Sequence, residues 1–243
     1  KLLMLFEKLY IRMSILKRPR FLYKIFKYYR KFFGEKDPGD LPFNFNSEPS
    51  RIEIIQTIID KKKYSSYLEI GTHQDEVFSK IKCSHKIGVD PFSGGNRRMT
   101  SDDFFIQNEE KFDCIFIDGL HHYNQVKKDL KNSISCLNEK GIILIHDCLP
   151  KNLSAQAVPR TERDWNGDVW KSVVEQRTKH NTDCYTIYAD HGIGVVLKRE
   201  NKNLLDLNNE NFEKLKFQLF YSEHKKIMNI LNINDFMKVL DNY

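Results

Sequence analysis

Carboxylates at the ends of apolar runs are the residues most able to do chemistry here. Val89-Asp90, Ile117-Asp118 and Ile145-His146-Asp147 each close a short apolar stretch with an acid, and Glu69 lies just before Gly71 at the end of a fourth. One carboxylate in such a place is ordinarily a turn former or a helix cap. Four at corresponding places can converge on one crevice, where acids hold hydroxyls, an amine or a divalent cation. The run Phe112–Leu130, FDCIFIDGLHHYNQVKKDL, then adds His121, His122 and Tyr123 directly after Asp118-Gly119. An imidazole beside carboxylates can accept a proton near neutral pH or ligate a transition metal. His121 has a catalytic reading and a plainer one, capping the helix that follows or satisfying a buried carbonyl. His122 is expected at the surface or behind the site, and Tyr123 in helix–sheet packing. His146 is either a ligand or a structural partner of a neighbouring strand.

The turn after the first of these runs limits the ligand. Gly71-Thr72-His73-Gln74-Asp75 has one glycine, so the three-glycine dinucleotide fingerprint is absent. A pyrophosphate seated on a helix N-terminus is thereby disfavoured. A ligand with ribose hydroxyls and an amine, but no phosphates, suits the acids better. Asp90, about 20 residues beyond the glycine turn, is placed to accept both hydroxyls of a ribose.

The elements that must position these residues follow from hydrophobic spacing. Arg51–Lys62 is expected as an amphipathic helix, and Ser65–Gly71, His85–Asp90, Phe112–Asp118 and Gly141–Asp147 as strands. Helices are expected over Asp75–Ile81, Asn124–Leu137 and Asn166–Lys179. Tyr185–Ala189 and Gly194–Lys198, joined around Asp190-His191-Gly192, suggest a hairpin in which Asp190 and His191 serve the turn. Strands alternating with helices imply a mostly parallel sheet covered on both faces, with the hairpin antiparallel. Gly34–Ser50 reads as a linker, and Asn203–Tyr243 as a helical extension. The domains expected are a basic helical arm with linker over 1–40, the main α/β domain over 41–200, and the extension over 201–243.

Charge is distributed unevenly. The chain carries a net +6, yet Lys1–Lys36 holds eleven Lys/Arg against Glu7 and Glu35, which leaves the remainder mildly acidic. Residues 1–33 combine basic residues with Phe, Tyr and Leu at helical spacing. That pattern suits peripheral contact with an anionic membrane, or packing on the domain or on a second copy in a homo-oligomer. Nucleic acid is not expected as a partner, because no recognition motif accompanies the charge. The five cysteines are scattered, odd in number and without a CxxC pair, which implies neither a disulfide framework nor a thiolate zinc site. No apolar run spans a membrane, and basic residues interrupt any signal-peptide core. A cytoplasmic location is expected, with the arm at the inner membrane face as its peripheral variant.

The order LEIG, GVDP, TSDDFF, FDCIFIDGLHHY and GIILIHD resembles a class I S-adenosylmethionine-dependent methyltransferase. The D-G-x-H-x-Y element and the strand ending in H-D are similar to those of sugar O-methyltransferases of macrolide biosynthesis. Related domains of bacterial glycan assembly also carry a segment like Trp165–Lys171 (WNGDVWK). The resemblance covers about residues 51–198 and implies a Rossmann-like, seven-stranded sheet with a C-terminal antiparallel hairpin. It puts Glu69, Gly71 and Thr72 near the methionine part of S-adenosylmethionine, and Asp90 on the ribose. Ser101 and Asp102 would meet the adenine, with Asp103 as the alternative, and Asp118 would face the cofactor. Asp118 and Asp147 match metal ligands of metal-dependent members, and His121 their general base. His146 replaces the carboxylate those members tend to have, so Asp118, His146 and Asp147 form the expected set for Mg²⁺ or Mn²⁺.

The function this implies is O-methyl transfer to a small hydroxylated acceptor, a sugar or glycan precursor, with divalent-metal assistance. Trp165–Trp170 would wall the acceptor pocket or begin a capped helix. The other pocket walls are expected from residues 94–99, 151–164 and the C-terminal helices. Two alternatives stand beside this reading: a metal-dependent hydrolase or hydroxylase-like enzyme on the same fold, and a non-catalytic scaffold of membrane or glycan assembly.

Overall fold

Side chains that alternate between two apolar faces place the strands at the centre. The computed structural model describes residues 34–243 together with Lys24, Lys27, Tyr28 and Phe32, so the basic-arm expectation for 1–33 falls largely outside the described residues. In β3 (Phe112–Ile117), Ile115 and Ile117 enter one core while Cys114 and Phe116 enter the other. β4 (Leu137–Ile145) does the same with Ile143 and Ile145 against Ile142 and Leu144. A strand buried on both faces needs no polar side, hence the continuous apolar runs.

The other strands are β1 (Ser66–Ile70), β2 (His85–Val89), β5 (Asp183–Ile187), β6 (Ile193–Leu197) and β7 (Ile230–Leu231), in the order β2-β1-β3-β4-β6-β5-β7. β2, β1, β3 and β4 run parallel. β6 inserts antiparallel between β4 and β5, and β7 pairs parallel to β5 at the edge. The expected seven-stranded sheet with its hairpin is present, although the seventh strand comes from the tail. That tail holds a 3₁₀ turn (Phe212–Lys214), helix α5 (Phe217–Met228), β7 and helix α6 (Ile233–Asp241).

Helices cover both faces. α1 (Arg51–Lys62) begins at Ser50, whose hydroxyl accepts from Glu53 N while Glu53 reaches back to Ser50 N. This reciprocal cap satisfies donors that a helix start would otherwise leave bare. α1 buries Ile54, Ile55, Ile58 and Ile59 on one side of the sheet, beside Phe236 and Leu240 of α6. α3 (Tyr123–Ser135), α4 (Trp170–Arg177) and α5 pack on the other, with the short α2 (Ser101–Gln107) joining β2 to β3. Asp75–Ile81 is a chain of turns rather than the expected helix; Val77, Phe78 and Ile81 are still buried there. Residues 34–50, expected as a linker, instead form an extended strap tied to the domain, with Leu41 N donating to Lys151 O at 2.8 Å. Among the described residues no helix is long and apolar enough to cross a membrane.

Candidate functional site

The sheet reverses direction of winding at β1, which lies between β2 and β3. The crevice outside the carboxyl ends of such strands is where open α/β sheets bind ligands. Gly71 (φ +92°) ends β1 there, and a Cβ on it would lie 2.3 Å from the carbonyl oxygen of Asp118. Glycine is therefore required by close backbone packing between the two turns.

Asp118 follows β3, and His146 and Asp147 follow β4, so the ladder itself brings them side by side; His146 N donates to Ile117 O at 3.0 Å. His146 Nδ1 lies 3.2 Å from Asp118 Oδ1 and 3.5 Å from Asp147 Oδ2, and its Nε2 3.2 Å from Asp190 Oδ1. His121 enters from the β3–α3 loop. Its Nδ1 is 3.0 Å from Asp147 Oδ2 and its Nε2 3.4 Å from Asp118 Oδ1. The first contact is an ion pair whose angle is too poor for a hydrogen bond. Asp118, His121 and Asp147 offer donor atoms within 4.8 Å of one another, close enough to share a metal ion. His146, expected as a ligand, stands beside this trio as a bridge to Asp190.

Charges in the cluster hold one another in place. Burial disfavours every ion here, but opposite charge outweighs it. The carboxylates of Asp147 and Asp118 raise His121 to about 9 and hold His146 well above its ordinary range. His146 and His121 in turn lower Asp118 to about 2 and Asp147 further below the usual carboxylate range. Asp190 is lowered by His146 and Arg51. Three carboxylates thus face two imidazoliums and the Arg51 guanidinium, which keeps the pocket neutral.

Glu69 differs. It is buried beside Asp118, its Oε2 accepts from Tyr67 Oη at 2.6 Å, and burial pushes its carboxyl up to about 8. A carboxyl raised in this way favours folding fully below its ordinary 4.5, and the benefit is lost as pH rises through 8. Glu69→Gln is therefore expected to raise the melting temperature, relative to the native chain, by several degrees more at pH 9 than at pH 6. Thermal scans at the two values check this; an equal difference at both would show Glu69 ionised throughout.

The remaining expected residues are distributed as follows. Asp90, after β2, accepts from His73 N (3.0 Å), Phe92 N (2.7 Å) and Ser93 N (3.0 Å), which folds the 91–98 loop onto the ends of β1 and β2. Thr72 is buried beneath that loop, with its hydroxyl on Ser93 O at 3.3 Å. Ser101 and Asp102 open α2 and bond across to Gln125 and Lys128 of α3 rather than to the carboxylate cluster.

Sequence reasoning gave Asp190 and the segment 165–168 other parts than the contacts they make. Asp190 is more than turn chemistry, since it binds Arg51 through the backbone N (2.6 Å) and Nη1 (3.1 Å) as well as His146. Its turn holds three successive positive φ values, at Asp190 (40°), His191 (62°) and Gly192 (89°). Such conformations cluster where structure elsewhere enforces them. The segment 165–168 also feeds the site. Trp165 stacks on His121 with centroids 5.1 Å apart, Asn166 Nδ2 donates to Asp147 Oδ1 at 2.7 Å, and Asp168 Oδ1 accepts from Tyr123 N at 2.7 Å. Asp168 thus caps α3, which relieves His121 of the capping role. His122 lies edge-on to Trp165.

Comparison with known proteins bears on this arrangement. Residues 68–148, running from β1 through the β4 end and so through Glu69, Asp90, Asp118, His121 and Asp147, match the profile of a methyltransferase domain. This third of the chain is similar to a methyltransferase domain. No curated protein sequence matches the chain. Solved structures similar to it include an SAH-bound methyltransferase of Podospora anserina (13% identity, TM-score 0.48, 63% of this chain and 80% of that one). A putative O-methyltransferase of Klebsiella pneumoniae is 10% identical (TM-score 0.49, 72% and 96%). A putative caffeoyl-CoA O-methyltransferase of Staphylococcus aureus is 14% identical (TM-score 0.48, 80% and 99%). Within the matched segment the carboxylates Asp118 and Asp147 lie at the β3 and β4 ends, and Asp118 adjoins the Gly71 turn.

Proposed function

We propose that the protein transfers a methyl group from S-adenosylmethionine to a hydroxyl of a small sugar-like acceptor, with a divalent ion at Asp118 and Asp147. The observation that carries this reading is the convergence of His121 with Asp118 and Asp147 beside the Gly71 turn, within the segment that matches a methyltransferase domain.

The residues fit the cofactor. Gly71 and Asp118 meet at the switch point, and Asp90 at the neighbouring strand end has a carboxylate whose oxygens accept three amides, which leaves a lone pair on Oδ2 for a hydroxyl. Glu69 lies behind them. S-adenosylmethionine, when bound, supplies an electrophilic methyl on a sulfonium. Asp90→Ala is expected to weaken its binding by about tenfold or more, the value of a lost charge-assisted hydrogen-bond pair. Isothermal titration checks this, and unchanged affinity would remove Asp90 from the ribose. The same variant separates this reading from a metal-dependent hydrolase, which has no ribose to hold.

Asp118 and Asp147 fit a divalent ion as well. Their carboxylates would supply oxygen ligands to Mg²⁺ or Mn²⁺, with His121 beside them left to act on the acceptor. Asn166 holds the second oxygen of Asp147 and fixes its orientation. Such an ion, when bound, would lower the pKa of an acceptor hydroxyl and offset the carboxylate charge that keeps His121 protonated. His121 itself receives the acceptor's proton, held in plane by Trp165 and close to both acids. Asp147→Ala is expected to abolish the effect of EDTA and to lower turnover by at least about a hundredfold. If activity survives both EDTA and this substitution, no metal acts at the site.

A further inference from the structure

Arg51, the first residue of α1, reaches the crevice at the end of β3 with a guanidinium that is held from one side only. Asp190 accepts from Arg51 N at 2.6 Å, and its two carboxylate oxygens lie 3.1 and 3.3 Å from Nη1. The other edge, formed by Nε and Nη2, carries no hydrogen bond among the described residues. Nε stands 3.8 Å from Asp118 Oδ2, and Nη2 3.7 Å from Glu76 Oε2, charge contacts too long to be hydrogen bonds. Nε is buried without a partner, yet the side chain keeps 24% of its surface exposed, and Glu76 keeps 68%. The open approach is therefore on the Nη2 side, past Glu76. A guanidinium edge presents paired N–H groups at the spacing of a carboxylate. Fixed at one end by Asp190, this fork is preorganised to take an anion at the other.

The neighbours select the kind of anion. Asp118 and Glu76 flank the edge, so a ligand with negative charge alone is repelled there. A zwitterion is not, because its ammonium can face the acids while its carboxylate meets Arg51. An α-amino acid head carries both charges on one carbon. The order of the strands says where such a head would lie. Asp90, Gly71 and Asp118 follow β2, β1 and β3, which are neighbours in that order in the sheet. A donor with its ribose at Asp90 and its chain across the Gly71 turn has its far end beside Asp118, where Arg51 arrives from α1.

Resting on the methyl-transfer reading above, we infer that Arg51 receives the α-carboxylate of the donor's methionine, with the α-ammonium turned toward Asp118 and Glu76. The same guanidinium holds Asp190, and Asp190 holds His146. Arg51 is then common to the donor site and the carboxylate cluster.

Calorimetry on the full chain tests this with S-adenosylhomocysteine and its decarboxylated analogue, which keeps the amine. The native chain is expected to bind S-adenosylhomocysteine at least about tenfold tighter than the analogue, the value of a charge-assisted hydrogen-bond pair. Arg51→Gln is expected to abolish that preference, weakening S-adenosylhomocysteine by about tenfold or more while the analogue changes by less than about twofold. Arg51→Lys keeps the charge but not the fork, and should narrow the preference several-fold. A purely structural role for Arg51 would weaken both ligands alike and leave the preference intact. If neither ligand binds the native chain, the methyl-transfer reading itself is overturned. With S-adenosylhomocysteine binding intact, equal native affinities for the two ligands, or a native-like preference in either variant, would overturn the inference alone.

Discussion

Replacing His121 with alanine is expected to lower the turnover of methyl transfer by about 10²- to 10⁴-fold, the usual contribution of a positioned general base. Donor binding should be unchanged, because the contacts of His121 run to Asp118, Asp147 and Trp165 rather than to the Asp90 side. The loss has a specific origin. A sugar hydroxyl is a weak nucleophile while it keeps its proton, and His121 is the more open imidazole of the cluster. Its side chain is 20% exposed against 7% for His146, which is enclosed among Asp118, Asp147 and Asp190. Single-turnover measurements with saturating donor isolate the chemical step. If His121→Ala turns over like the native chain, the proton leaves by another route and the cluster serves only to bind.

Gly167→Ala is expected to reproduce much of that loss from a residue that touches no reacting atom. Gly167 has φ +67°, and a Cβ there would sit 1.8 Å from the carbonyl oxygen of His121. Backbone cannot yield to that distance, so the two segments must part. Trp165, Asn166 and Asp168 would leave together, taking the stack on His121, the hydrogen bond on Asp147 and the cap of α3. We expect destabilisation of about 3 kcal/mol or more, from the left-handed backbone and the lost cap. In a chain of this size that lowers the melting temperature by roughly 6–12 °C. Turnover measured well below that temperature should fall at least about tenfold, because His121 and Asp147 lose the partners that orient them. A stable, fully active Gly167→Ala would mean that the loop shifts without cost.

The strands were legible because parallel β-structure buried on both faces writes itself as short continuous apolar runs, and the carboxylates that end them are adjacent in sequence to those runs. His121 was singled out by its place after Asp118-Gly119, and its role as a base came from the resemblance. The strap was not legible. Pro, Gly, Asn and Asp over 34–50 are the residues of a flexible connection, and only contacts to Lys151 and Tyr188, more than a hundred positions away, give the segment a fixed course. Asp190 was hidden for the same reason: its partners Arg51 and His146 are 139 and 44 residues distant. The turns at Asp75–Ile81 show the reverse error, in which buried apolar residues at helical spacing pack without a helix, after positive φ values at His73 and Asp75. In the tail, spacing showed helices but not the two-residue strand that separates them, because β7 is defined by its partner β5 alone.

Glu35, at the start of the strap, accepts from Phe217 N at 2.9 Å and Gln218 N at 2.6 Å, capping a helix whose own preceding residue, Lys216, provides no side-chain cap. The strap over 34–50 is thus anchored by residues synthesised about 180 positions later. During translation the sheet through β4 and the carboxylate cluster can form while the strap still has nothing to hold it. Contacts of such long sequence separation are the slowest to close. On a growing chain, the ends of β1 to β4 can therefore take shape first, and the strap gains this anchor only when α5 has emerged and docked.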